Sequence, residues 1–520
     1  MRISRLCSAS ACAVFMMMPA VFSINSGDAL AAELRQLPKP LKKAAAEYGV
    51  DPRAVTVSIV ELDGLKMPEG GKMPLVRPLL AVNADRSVAP ASTAKLVTTL
   101  AGLELLGADW HWKTGFYART RPDEKGRVTG VWLKGGGDPT LVAEKFALLV
   151  DRMAQMGVRH IEGNLTVDRS YFDIPDTDPS AFDGRGSRPY NQLPDAAVTA
   201  YRSLSFEFVP DKSAGVAHIV SMPQLAGLEV PSSIPLARGG CGDWKSSIGY
   251  RLERLSDGRL VAHFDGALPL ACGSKYFNVV SLSKNEFLDR LFRKAWERDE
   301  RTWTGHVVEG RTPEDAVKLV ERESDSLPVV TTLVNKWSNN LIARHIFLTL
   351  GTLRHQSKLL SNDSVANDAF EQAFSPAGKS QPGATLEDAR ASLAEWLSEK
   401  GVPKGAIVID NGSGLSRTSR VTARAMTQVL AAGWLSPRMT EYVASLPVSG
   451  VDGTMKKRVE AMGRTHLKTG YLQDVRSIGG YVYAKNGRRY AVYASVHGDH
   501  NMAGGIKFLD KVVEWTYLQR

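Results

Sequence analysis

The sequence predicts an α+β fold, an antiparallel sheet covered by helices and split by a large β-rich insertion. Three observations predict it. Period-two alternation marks strands near both ends: Val55, Val57 and Ile59 alternate with Thr56 and Ser58, and two further runs span Ile478–Ala484 and Tyr490–Val496. A helical pattern over Gly504–Leu518 follows the last of them, and strands closed by a C-terminal helix suit an antiparallel sheet under helices. Between about 112 and 275 the texture changes to short alternating runs separated by Gly and Pro clusters.

Element by element, Leu34–Tyr48 reads as a helix, and Ala54–Leu62 and Leu79–Asn83 read as strands. Ser92 then opens an apolar-periodic stretch, Leu96, Leu100, Leu103 and Leu106, that stops at Gly107, so Ser92 is expected at a helix N-terminus. Inside the insertion, Val128–Leu133, Leu165–Val167, Ser205–Val209 and His218–Met222 read as strands, and Asp173–Pro194, rich in Asp, Pro and Gly, as a long surface loop. Helices are expected over Asn285–Glu297, Pro313–Glu321, Val329–Leu350, Thr385–Lys400 and Thr422–Ala432, with a short strand at Ile407–Ile409.

A chain of 520 residues, 43% hydrophobic and 23% charged, is long enough for two or three compact domains. Arg2 and Arg5 precede an apolar run, Ala13–Phe22, and then Ala29-Leu30-Ala31, which predicts a secretory signal over residues 1–31. An uncleaved anchor fits less well, because Pro19 and Ser23 interrupt a run shorter than the ~20 residues a span requires. The expected division is 32–111 and 276–520 for one domain, with 112–275 inserted as two subdomains, about 112–204 and 205–275. Loss of the signal would leave Cys241 and Cys272, which in an oxidising compartment suggest one disulfide; two buried thiols are the alternative. The net charge of +10 suits an anionic wall polymer or peripheral contact with a membrane surface, and the scattered basic residues lack the arginine-rich block of a nucleic-acid binder.

Three short motifs occur in order: Ser92-Thr93-Ala94-Lys95, Ser338-Asn339-Asn340 and Lys468-Thr469-Gly470. A serine hydroxyl is a poor nucleophile until a base removes its proton, and a helix sets Lys95 on the same face as Ser92. Lys95 must be neutral to act, and burial plus a second cation, Lys468, would lower its pKa. Lys468 and Thr469 can hold a terminal carboxylate, Ser338 can relay a proton to the leaving amine, and Asn340 can hold both Lys95 and the substrate amide. The backbone N–H groups of Ser92 and Tyr471 are the candidates for the oxyanion.

Each motif also has a second copy. Ser281–Lys284 repeats S-x-x-K, Ser283–Asn285 repeats S-x-N and Lys113-Thr114-Gly115 repeats K-T-G. Lys113 follows Ser92 by only 21 residues and precedes any usable S-x-N, whereas Lys468 lies 130 residues after Ser338 and opens the terminal strand pair. Ser281 precedes a charged helix instead of starting an apolar one. Context therefore selects Ser92, Ser338 and Lys468.

Flanking residues carry a wider likeness. Ala89–Thr98, Val334–Leu341, Asp410–Arg417 and Pro447–Thr454, with Leu133–Pro139 and Ile161–Phe172, resemble segments of the penicillin-binding protein 4 type D-alanyl-D-alanine carboxypeptidase/endopeptidase family, the S13 peptidases. That resemblance implies a serine DD-peptidase/β-lactamase-like transpeptidase domain, split by an insertion in the 246 residues between Ser92 and Ser338. It further implies that Asp168 and Arg417 meet the amine and carboxylate of a diaminopimelate side chain, although Asp168 also reads as a turn aspartate. Three features depart from the family pattern: Tyr471 in place of a small hydroxyl residue, the extra Asn411, and a polar stretch, Asn362–Gln381, that looks inserted.

The expected activity is hydrolysis of peptidoglycan stem peptides through an acyl-enzyme on Ser92, with β-lactam antibiotics as covalent inhibitors, in a secreted, periplasmic protein without cofactor or metal. A β-lactamase shares the motifs but needs a deacylating element such as the class A glutamate, which no segment resembles. A non-catalytic wall-binding protein of the same fold is the other alternative. His497 and His500 read as a surface turn, and Trp296, Trp303 and Trp337 as core.

Overall fold

In the computed structural model, residues 34–67, 73–298, 300–362, 383–498 and 502–520 are described. The 1–31 segment, His500 and the polar stretch beyond Asn362 lie outside them. A five-stranded sheet carries the order Thr465–Leu472, Val475–Tyr483, Arg489–His497, Val55–Glu61, Leu80–Val82, every neighbouring pair antiparallel. Val55, Val57 and Ile59 face a core shared with helices Lys39–Glu47 and Met502–Tyr517. The alternate residues are buried too: Thr56 bonds Ser495 at 2.6 Å and Ser58 bonds Thr427, in helix Ala423–Leu435, at 2.7 Å. Paired hydroxyls let a polar stripe pack under a helix without orphaned donors.

From Lys113 the chain enters a second sheet, ordered Thr302–Trp303, His160–Asp168, Arg127–Gly135, Lys113–Ala118, Val317–Glu323, with Val307–Glu309 also paired to His160–Asp168. Helices Ala143–Gln155 and Lys284–Trp296 cover it through Phe146, Phe292 and Trp296. Two smaller sheets between Leu204 and Val279 pack around Phe206, Phe208 and Phe264. Cys241 and Cys272 are joined there by a disulfide, with Cα atoms 4.6 Å apart. The fold is thus mixed helix and sheet, with a β-rich portion inserted between the first two motifs.

Two of the expected helices differ in the structure. Pro313–Glu321, read as helix, is a turn that leads into the strand Val317–Glu323, whose register against Lys113–Ala118 shifts between Lys318 and Val320. That irregularity buries both Leu319 and Val320, which hides the period of two. Val329–Leu350, read as one helix, is two: Leu327–Trp337 and Asn340–Asn362 meet at Ser338, which is left-handed with φ 59° and ψ 34°. Among the described residues no helix is long and apolar enough to cross a membrane.

Candidate active site

Ala91–Thr93 forms one 3-10 turn that runs directly into helix Ala94–Leu105, which stacks Lys95 over Ser92. Ala91 has φ 51°, a conformation a non-glycine residue keeps only when its surroundings hold it. Two glycines press on this turn. A Cβ on Gly470 would stand 2.9 Å from the Pro90 carbonyl oxygen, and one on Gly414 would overlap the Ala91 carbonyl. The sheet edge and the Asn411–Leu415 segment therefore close on the serine from two sides.

Lys95 is fully buried. Its Nζ lies 3.0 Å from Ser92 Oγ, 2.7 Å from Asn340 Oδ1 and 2.5 Å from the Ser413 carbonyl oxygen. Burial holds its pKa well below the ordinary lysine value, and the charges of Lys468 and Arg344 push the same way. Lys468, also buried, donates to Ser338 Oγ at 3.0 Å and to the Thr469 carbonyl at 2.7 Å, and burial lowers its pKa to about 7. The left-handed Ser338 ends one helix as Asn340 starts the next, so the S-x-N triplet reaches both lysines.

Thr469 Oγ1 is 3.0 Å from Thr454 Oγ1, which ties the edge strand to the Pro447–Thr454 segment. Tyr471 follows on the same strand, its ring 66% exposed and stacked under the Arg476 guanidinium at 3.5 Å. Arg417 is half-exposed, 3.6 Å from Asp474 and 4.5 Å above the Phe182 ring, and Phe182 packs with Ala91, Leu415 and Leu472. Arg417 thus stands beside the serine turn. Among the described residues Asp168 has no hydrogen bond to this cluster: its carboxylate accepts from Ser170 N at 3.0 Å, Ser170 Oγ at 2.6 Å and Thr312 N at 2.8 Å. Burial opposes its ionisation, but those hydrogen bonds prevail and hold its pKa below the usual carboxylate range.

The structure adds three groups that motif reading missed. Ser413 reaches Lys95 through its main-chain carbonyl, and the flanking Gly412 and Gly414, both at positive φ, were the visible signal. Tyr190 accepts from Asn340 Nδ2 at 3.0 Å, also through its carbonyl, so its side chain carries no signature. Arg344 donates to the Gln192 carbonyl at 2.7 Å and sits close enough to depress Lys95. The Asp173–Pro194 stretch is therefore not only a surface loop. It folds onto the site. Trp296 and Trp303 are core, as expected, but Trp337 is 70% exposed. Among the described residues no group of three or more His, Cys, Asp or Glu is gathered as a metal site.

A buried lysine on a serine hydroxyl and a second lysine on the sheet edge suit an active-site-serine acyl-transfer enzyme, and the family and relatives that the chain matches make the protein a serine-type D-Ala-D-Ala carboxypeptidase/endopeptidase acting on peptidoglycan. The model of the D-Ala-D-Ala carboxypeptidase 3 (S13) family matches residues 76–389 and 360–516, and the chain belongs to that family. It is similar to a D-alanyl-D-alanine carboxypeptidase of Actinomadura sp. (strain R39), 27% identical over 81% of this chain and 76% of the relative. It is also similar to D-alanyl-D-alanine carboxypeptidase DacB of Haemophilus influenzae, 20% identical over 83% and 87%. In fold it matches the crystal structure of penicillin binding protein 4 (dacB) from Haemophilus influenzae, with TM-score 0.65 and 17% identity over 92% of this chain and 99% of that one. The same protein complexed with a β-lactam matches at TM-score 0.63.

Proposed function

We propose that Ser92 is the acyl-accepting nucleophile and Lys95 its base. The observation that carries this reading is the set of partners around Lys95 Nζ. A neutral amine has two N–H groups and one lone pair; Asn340 Oδ1 and the Ser413 carbonyl take the two N–H groups, which leaves the lone pair for the Ser92 hydroxyl. Ser92 Oγ attacks the carbonyl of a D-alanine as its proton passes to Lys95. The tetrahedral oxyanion rests between the N–H groups of Ser92 and Tyr471. The C–N bond then breaks, the proton returns through Ser338 to the leaving amine, and water cleaves the Ser92 ester in a second, base-assisted step. Lys468 and Thr469 hold the carboxylate of the leaving residue, and Gly470 lets the edge strand lie against the serine turn.

Arg417 receives a carboxylate from the stem side chain, supported by its place over Phe182. Asp168 holds the Ser170–Thr312 turn. We assign Lys113–Glu323 as the inserted unit, since the Val317–Glu323 strand still belongs to the second sheet. β-Lactams acylate Ser92 as carbonyl mimics. The protein acts after export, in the periplasm, a reading supported by the Cys241–Cys272 disulfide and the substrate class.

The test is mass spectrometry of muropeptides incubated with wild type and with Ser92→Ala. The wild type should release D-alanine and the variant none. Release by the variant at the wild-type rate would overturn the assignment.

A further inference from the structure

We propose that Trp337 and Val451 form an apolar shelf that binds the leaving strand of cross-linked peptidoglycan and so favours endopeptidase over carboxypeptidase cleavage. This rests on the reading of Ser338, Lys468 and Thr469 given above. A tryptophan 70% exposed is unusual, because large aromatics are mostly buried, and Val451, on the segment that packs against the end of the Trp337 helix, is 53% exposed. Their neighbours bring the two segments together. Lys336, just before Trp337, bonds Asp452, just after Val451, at 2.7 Å, and donates to the Leu446 carbonyl at 2.7 Å. A Cβ on Gly453 would stand 2.7 Å from the Lys336 carbonyl oxygen, so the two segments meet backbone to backbone.

The shelf borders the end of the site where the leaving group departs. Trp337 is covalently next to Ser338, whose Oγ is 3.0 Å from Lys468 Nζ, and Val451 is three residues from Thr454, whose Oγ1 is 3.0 Å from Thr469 Oγ1. With its amine at Ser338 and its carboxylate at Lys468 and Thr469, a leaving D-amino acid has only its side chain left to project outward. For D-alanine that is a methyl group, which reaches nothing beyond the clamp. In a cross-linked stem it is an aliphatic chain bearing a second peptide. Such a chain would cover the indole and valine, removing apolar surface from water only in the cross-linked substrate. The occupant is therefore a peptide with an aliphatic, carboxylate-bearing leaving residue.

The experiment compares kcat/KM for a cross-linked muropeptide dimer with that for D-alanine release from a monomeric pentapeptide, in wild type, Trp337→Ala and Trp337→Phe. The exposed position spares the fold, and the rate of acylation by penicillin checks that Ser92 is intact. Trp337→Ala should lose about tenfold on the dimer and stay within about twofold on the monomer, with Trp337→Phe recovering most of the loss. Equal losses on both substrates, or no loss on the dimer, would overturn the shelf. Wild type that releases D-alanine but leaves the dimer whole would overturn the shelf and spare the proposed function. Wild type inactive on both would sink the two together.

Discussion

The same tripeptide, Lys-Thr-Gly, occurs twice in this chain, and the two copies fold into opposite settings. Lys468-Thr469-Gly470 lies on the edge strand of its sheet, whereas Lys113-Thr114-Gly115 lies on an interior strand paired on one side to Arg127–Gly135 and on the other to Val317–Glu323. An extended peptide can add to the first and has no place on the second. The lysines differ accordingly. Lys468 is buried and meets Ser338, while Lys113 is partly exposed and pairs with Glu323 at 3.6 Å. The S-x-x-K copies diverge in the same way: Lys95 is buried against Ser92, but Lys284 reaches Asp176 and Glu309 at the surface, and Ser281 Oγ bonds Tyr250. A short motif gains its chemistry from strand position and burial.

Lys95 should be the most sensitive position. Lys95→Ala should slow acylation by about 10³-fold or more, read by stopped-flow penicillin binding, because no other base touches Ser92 Oγ in the site described. Lys468→Ala should lose about 10²-fold in kcat/KM for D-Ala-D-Ala peptides, and Lys113→Ala less than about twofold, since an exposed ion pair contributes little. Equal losses from the two would erase the distinction.

The pH dependence sharpens it further. With Lys95 as the neutral base and Lys468 as the charged carboxylate clamp, as proposed, kcat/KM should rise as pH climbs through the lowered pKa of Lys95 and fall above about pH 7 as Lys468 loses its proton. The two limbs belong to the coupled pair. Lys468→Gln should remove the alkaline limb and move the acid limb upward, as Lys95 loses a repelling charge. Lys113→Gln should leave the profile unchanged.

Smaller effects separate packing from chemistry. Gly470→Ala would overlap Ser477 Oγ, which bonds the Pro90 carbonyl, and press on the Pro90-Ala91 turn, and should cut acylation by about tenfold, whereas Gly115→Ala, 2.8 Å from the Val320 carbonyl oxygen, should cost about 1–3 kcal/mol of stability with acylation retained. Cys241→Ser should cost about 2–4 kcal/mol in denaturant unfolding and leave penicillin binding intact.

Much of this arrangement was legible in the sequence wherever local pattern and environment agree. The outer strands, the helix after Ser92 and the order of the motifs are local features with clear periods. What escaped was set by tertiary contact. The Val317–Glu323 strand hid behind a register shift, and the break at Ser338 lies at a serine, where no glycine announces a left-handed residue. Ser413 and Tyr190 act through carbonyls, which any residue supplies. Trp337 looked like core because its composition is apolar, and only the fold exposes it.

The most direct measurement is peptide mapping of the penicillin-modified protein by mass spectrometry, in wild type and in Lys95→Ala. A single adduct is expected, on the peptide containing Ser92, and absent from the variant on the same time scale. An adduct on Ser281, or one on Ser92 that forms as fast without Lys95, would contradict it.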